Sequence, residues 1–91
     1  MINAFILEGK VKEISKPING KDGKKYINVK LDVAKTNKNE EHDLITVCCF
    51  GGLAEIILES VKIGEILSVQ GRIQSSGYDY SFIVEKASFL S

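Results

Sequence analysis

Tryptophan is absent from this 91-residue chain, proline occurs once, at Pro17, and there are two cysteines. Those cysteines, Cys48 and Cys49, are adjacent and cannot build the disulfide framework that staples small secreted domains, so a reducing cytoplasm is the expected setting. No apolar run approaches the ~18 residues that a membrane-spanning helix needs, and no basic-then-apolar leader opens the chain. Neither sign of charge dominates: 12 Lys and Arg balance 12 Asp and Glu. A strongly basic field of the kind that announces a polyanionic partner is therefore missing. Repeats, linkers and low-complexity stretches are missing too, and a single domain over residues 1–91 is expected. A hydrophobic fraction of 44% is enough for a packed core and excludes a disordered tail.

The balanced total conceals an uneven distribution. Nine lysines face four carboxylates in residues 1–38, whereas three cations face eight carboxylates in residues 39–91. Opposite halves of this kind imply a basic and an acidic face, or attraction between copies of the chain.

The periodicity is mostly two, the mark of half-buried strands. A first strand is expected over residues 1–11, with Phe5 and Leu7 on one face and Gly9 marking a bulge or a close backbone approach. Residues 16–25 are turn chemistry and carry Lys16, Lys21, Lys24 and Lys25. Ile27, Val29, Leu31 and Val33 alternate with Asn28, Lys30 and Asp32 to give a second strand, and a polar loop follows over residues 35–43. The third strand covers residues 44–50, with Ile45, Val47 and Cys49 facing one way and Leu44, Thr46, Cys48 and Phe50 the other. After Gly51 and Gly52 the period changes. Leu53, Ile56, Ile57 and Val61 fall on one helical face, and the helix stops at Lys62-Ile63-Gly64. A fourth strand over residues 65–74 alternates Leu67, Val69, Gly71 and Ile73 with polar residues. Ser75-Ser76-Gly77 signals a hairpin, and residues 80–89 return as the fifth strand.

Three strands, a short helix, then a two-stranded hairpin is the order of the OB-fold, an all-β five-stranded Greek-key barrel with one helix between strands three and four. An SH3-like barrel lacks that helix, and a ferredoxin-like fold needs two.

The segment Val47-Cys48-Cys49-Phe50-Gly51-Gly52-Leu53-Ala54-Glu55 resembles the strand-to-helix junction of bacterial single-stranded DNA-binding proteins. Lys62-Ile63-Gly64-Glu65, Val69-Gln70-Gly71-Arg72-Ile73, and Met1-Ile2-Asn3 leading to Leu7 and Gly9 resemble other parts of that family, so the likeness spans the chain. The resemblance implies binding of single-stranded DNA without strong sequence specificity, in replication, recombination or repair, by a cytoplasmic, nucleoid-associated homotetramer or dimer. Bases would stack on aromatic rings while cations neutralise phosphates. Carried over by position, Phe50 matches the family's stacking Phe and Tyr78 an aromatic of the last hairpin. The phosphate contacts fall to Lys24, Lys25, Lys30 and Arg72. Leu44 stands where the family often has Trp, and Thr36, Asn37 and Lys38 stand where another aromatic is common. The family's acidic C-terminal tail does not follow Leu90-Ser91, so the resemblance is to a minimal form that is either natural or a truncation.

Each of these residues also has a structural reading. A one-residue slip of the third strand would turn Phe50 into the core. Tyr26 and Tyr80 border the same region, but tyrosines flanking strands usually cover core edges. Arg72 suits a phosphate or a carboxylate on the sheet. Cys48 and Cys49 point to opposite faces of a strand, so they cannot chelate one metal and are expected to be packing residues. His42, among Glu40, Glu41 and Asp43, has no second His at ligand spacing, so no metal or other cofactor is expected. With no orienting third group or oxyanion site in view, a catalytic Cys–His pair is not supported, and the chain is not expected to be an enzyme. The competing function is a protein-interaction OB module, primosome-like or structural, with weak nucleic-acid binding or none.

Overall fold

The structure is a computed structural model and describes residues 1–35 and 41–89. The chain runs β1 (Phe5–Ile14), β2 (Ile18–Asn19), β3 (Lys25–Ala34), β4 (His42–Phe50), α1 (Gly51–Ser60), β5 (Ile66–Ser76) and β6 (Asp79–Phe89). The sheet is ordered β1-β5-β6-β4-β3-β2, and a further β1–β3 pairing closes it into a barrel. Five long strands with one helix before β5 are the expected OB-fold.

Alternation decides which side chains enter the barrel. Val11, Ile27, Val29, Leu31, Val47, Cys49, Leu67 and Val69 are all sealed inside, each large aliphatic among them contributing roughly 1.5–3 kcal/mol by leaving water. The complementary set on β3 and β4 faces outward in a fixed register. Tyr26 pairs with Phe50, Asn28 with Cys48, Lys30 with Thr46 and Asp32 with Leu44. The circuit is completed between β4 and β6, which run parallel and, among the described residues, pair at Val47↔Phe82 and Cys48↔Ile83.

Four features depart from the sequence reading. The first strand continues to Ile14, past a register shift between Val11 and Glu13 that interrupts the alternation. The bulge thus lies beyond Gly9, whose own role is close approach: a Cβ there would stand 2.7 Å from the Asp32 carbonyl oxygen. The basic loop is not entirely turn, because Ile18 and Asn19 pair with Tyr26 and Lys25. Ile56 does not pack inward. The buried side chains of α1 and its cap are Ala54, Ile57 and Val61, with Leu53 packed against them, and Ile56 is exposed. The apolar residues of this helix cover more than half of its circumference, with Glu55 and Glu59 on the remainder, so their spacing fits more than one inward face. Ile73 lies towards the hairpin end of β5, beyond the sealed part of the barrel, and is also exposed.

Cys49 is a packing residue, as expected, and burial, reinforced by the neighbouring Cys48 thiol, pushes its pKa up to about 12 from an ordinary value of 9.0. Its folded-state pKa is raised, so the protonated thiol supports the fold. That support is complete below pH 9 and is lost as pH rises towards 12. Denaturant titrations at intervals between pH 8 and 11 should show an alkaline loss of stability that shrinks in Cys49→Ala. Identical slopes in the two proteins would remove the thiol as its source.

Candidate nucleic-acid interface

The outward pairs of β3 and β4 form the floor of a groove of about 650 Å³. Its other walls are the basic loop, through Asn19 to Asp22, and the β5–β6 hairpin, through Gln74 and Asp79 to Ile83.

Phe50 sits at the junction of two elements. It is the last residue of β4 and the N-cap of α1, with extended backbone (φ −115°, ψ 156°). The chain turns immediately afterwards at Gly51, whose φ of +57° lies in the left-handed region that side chains with a Cβ seldom occupy. The turn leaves the Phe50 ring at the surface, 38% exposed. Its cross-strand partner Tyr26 steadies it, with ring centroids 5.2 Å apart and planes inclined at 34°. Aromatic pairs at this centroid distance attract through complementary quadrupoles. Cys48 and Ile83 lie side by side across the β4–β6 closure and extend the apolar floor. Cys48 is therefore half-buried groove lining rather than barrel packing; its Sγ donates to Asn28 Oδ1 at 3.1 Å, and burial raises its pKa.

Tyr80 is the residue that sequence reasoning undervalued. It is 73% exposed and lines the groove opposite the basic loop. It covers no core edge because it pairs with Ser75 near the tip of the hairpin. Tyr26 likewise belongs to the groove, through its contact with Phe50. Tyr78 occupies the turn between β5 and β6, is fully exposed and stands outside the groove lining.

The cations are dispersed. Lys21 lines the groove, but so do Asp22 and Asp79, which leaves the cavity itself without strong positive charge. Lys24 and Lys25 are exposed on the approach to β3, and the Lys24 amide donates to Asp22 Oδ1 at 3.3 Å. Lys30 lies on the outer face of β3 but outside this groove, with its Nζ 3.5 Å from a Glu13 carboxylate oxygen. Arg72 reaches a carboxylate as well as an amide: it donates to Gln74 Oε1 at 3.2 Å and stands 3.9 Å from Glu85. Leu44 is 62% exposed on the same outer face as Phe50, three pairs further along β4. At that end His42 Nδ1 lies 2.6 Å from Asp32 Oδ1, whose second oxygen is 3.8 Å from Lys12 Nζ. Glu40 and residues 36–38 lie outside the described residues. Among the described residues, no group of three or more His, Cys, Asp or Glu side chains is placed to hold a metal ion, and no helix is long and apolar enough to cross a membrane.

An aromatic floor between a basic loop and a hairpin, lined by amides and hydroxyls, suits flat heterocycles better than a compact anion. The comparisons agree with that geometry. Residues 2–86 match the model of the single-strand binding protein family. The fold is similar to the dimeric N-terminal domain of a PriB protein from Thermoanaerobacter tencongensis, with 20% identity, TM-score 0.79, and 98% of this chain and 97% of that one covered. A mitochondrial single-stranded DNA binding protein of S. cerevisiae superimposes at TM-score 0.82 with 12% identity, covering 99% of this chain and 97% of that one. A deletion mutant of the single-stranded DNA binding protein from Thermus aquaticus gives TM-score 0.77 and 20% identity over 99% of this chain and 42% of that one. Comparison with curated protein sequences gives no significant match.

Proposed function

The chain belongs to the single-strand binding protein family and binds single-stranded DNA, and from that premise we propose that it does so by stacking bases on Phe50, Tyr26 and Tyr80 in the groove between the basic loop and the β5–β6 hairpin. The observation that carries this reading is the Tyr26–Phe50 pair, two rings held together on an outward face where the core has no use for them. Base–aromatic stacking tolerates any sequence, because every base has a π-face. Lys21, Lys24 and Lys25 would meet phosphates along the loop rim, and Arg72 would do so by exchanging Glu85 for a phosphate. Tyr78, at the hairpin tip, and Leu44, at the far end of β4, would touch only a strand that extends beyond the groove. The same chemistry serves replication, recombination or repair, wherever single strands are transiently exposed.

Self-association is part of the proposal. The dimeric PriB domain supports it, as does the half of β1 before Lys10, which pairs with β5 alone among the described residues and carries the exposed Ile6. An unpaired strand edge beside an apolar side chain is a ready site for a second chain.

With tryptophan absent, tyrosine emission reports on the groove directly. Titration with an oligo-dT strand at low and moderate salt should quench it saturably, with an affinity that falls as salt rises. A mass measurement on the free protein should give a multiple of 10.0 kDa. If no saturable complex forms even at low salt, the alternative stands: a module whose barrel face binds protein. A mass of one chain would remove the self-association.

A further inference from the structure

Beside the aromatic groove lies a second depression of about 500 Å³, and the two share Asn28 and Thr46 as a common wall. The irregularity in β1 builds it. Val11 pairs with Leu31 and Glu13 with Lys30, so β1 advances two residues while β3 advances one, and Lys12 is the inserted residue. Along an unbroken strand Lys12 and Glu13 would leave on opposite faces. Across the bulge both emerge outward, and both line the depression together with Ile14, Lys30 and Ile63. Bulges re-aim side chains in this way, often next to functional sites.

The wall between the two cavities is fixed. Ser15 Oγ accepts the Asn28 amide proton at 2.9 Å, and the Asn28 side chain accepts from Cys48. The two lysines, by contrast, are held loosely. Lys12 Nζ is 3.8 Å from Asp32 and 50% exposed, and Lys30 Nζ is 3.5 Å from Glu13 and 39% exposed. Exposed pairs of this length contribute little, and a phosphate can replace the carboxylate at small cost.

We propose that this depression is a second nucleotide subsite, in which Lys12 and Lys30 hold the phosphates of a single strand that leaves the aromatic groove over the Asn28–Thr46 wall. Ile14 and Ile63 supply an apolar surface for its sugar or base. The proposal rests on the single-stranded DNA reading above and gives the strand a direction across the barrel. β6, β4, β3 and β1 are successive neighbours about 4.8 Å apart, so the track from Ile83 to Lys12 crosses three strand spacings, roughly 14 Å. At about 3.4 Å per nucleotide or more, a strand of about two residues stays within the groove, and one of about eight reaches both cavities.

Oligo-dT strands of these two lengths, titrated against wild type, the double variant Lys12→Gln/Lys30→Gln, and Glu13→Gln, provide the test. For the longer strand, the slope of log K against log salt should lose about 1.4 in the double variant, each single-strand phosphate contact contributing about 0.7. The slope for the shorter strand should not change. Glu13→Gln, which removes the competing carboxylate, should tighten the longer complex only. Equal losses at both lengths would mean diffuse attraction and would overturn the subsite, as would an unchanged slope at both. If wild type binds neither strand, the failure belongs to the single-stranded DNA reading itself.

Discussion

Phe50→Ala weakens single-stranded DNA binding by about 1–3 kcal/mol, the measured worth of one base stacked on an aromatic ring, which is about 5- to 150-fold in Kd. The fold survives the change. The ring is 38% exposed, and what the protein itself loses is one cross-strand aromatic contact with Tyr26, worth about 0.2–1 kcal/mol. Affinity and stability therefore separate. Fluorescence titration should show the weaker complex while thermal unfolding moves by no more than about 8 °C. Phe50→Leu, which keeps apolar area but removes the π-face, should fall between wild type and Phe50→Ala. If instead Phe50→Ala unfolds the domain and the residual folded protein binds normally, the ring is structural and the groove loses its central platform.

Gly71→Ala produces the largest loss of stability. Gly71 pairs with Val84 next to a register shift in which Glu85 is the extra residue of β6. The partner backbone approaches so closely that a Cβ would be driven into the Ile83 carbonyl oxygen and would stand 3.0 Å from the Glu85 amide nitrogen. Both are main-chain atoms and cannot rotate away, so β5 and β6 must separate where the hairpin supports the groove. Overpacking of flexible side chains costs about 1–3 kcal/mol and more where the neighbours cannot move; a loss at the upper end lowers Tm by roughly 12 °C or more at 4–8 °C per kcal/mol. Gly52→Ala is the matched control. A Cβ there meets nothing within 4 Å, and helix propensity predicts a gain of up to about 1 kcal/mol. Equal Tm values for the two variants would mean that the β5–β6 bulge relaxes freely.

The strands with one buried face were legible because apolar-in, polar-out alternation leaves a single register. Ile27 to Val33 is the clearest instance, and the outward placement of Phe50 follows from the burial of Val47 and Cys49. What escaped has physical causes. Ile18–Asn19 is too short to show any period. The bulge at Lys12 reverses the alternation, so β1 read as ending at Val11 although it runs to Ile14. Ile56 shares the i, i+3, i+4 spacing of Leu53 and Ile57, but Ala54 takes the inward position beside Ile57 and Ile56 stays exposed. Tyr80 belongs to the part of the hairpin beyond the outermost β4–β6 pair on its side, Val47↔Phe82, where alternation no longer separates inside from outside. A groove made by three elements remote in sequence has no linear signature. Its floor was readable from one strand; its opposite wall was not.

The parallel closure between β4 and β6 has a consequence for the bound state. It is the most lightly stitched junction of the barrel, two residue pairs against nine between β3 and β4 and ten between β5 and β6, and Cys48 and Ile83 of that junction also lie under the groove. In the proposed complex a base lying across them would bridge the seam, so a fluctuation that opens the barrel there would first have to expel the ligand. Occupancy and closure are then two readings of one equilibrium, and the strand being protected becomes, while it is bound, a clasp on its protector.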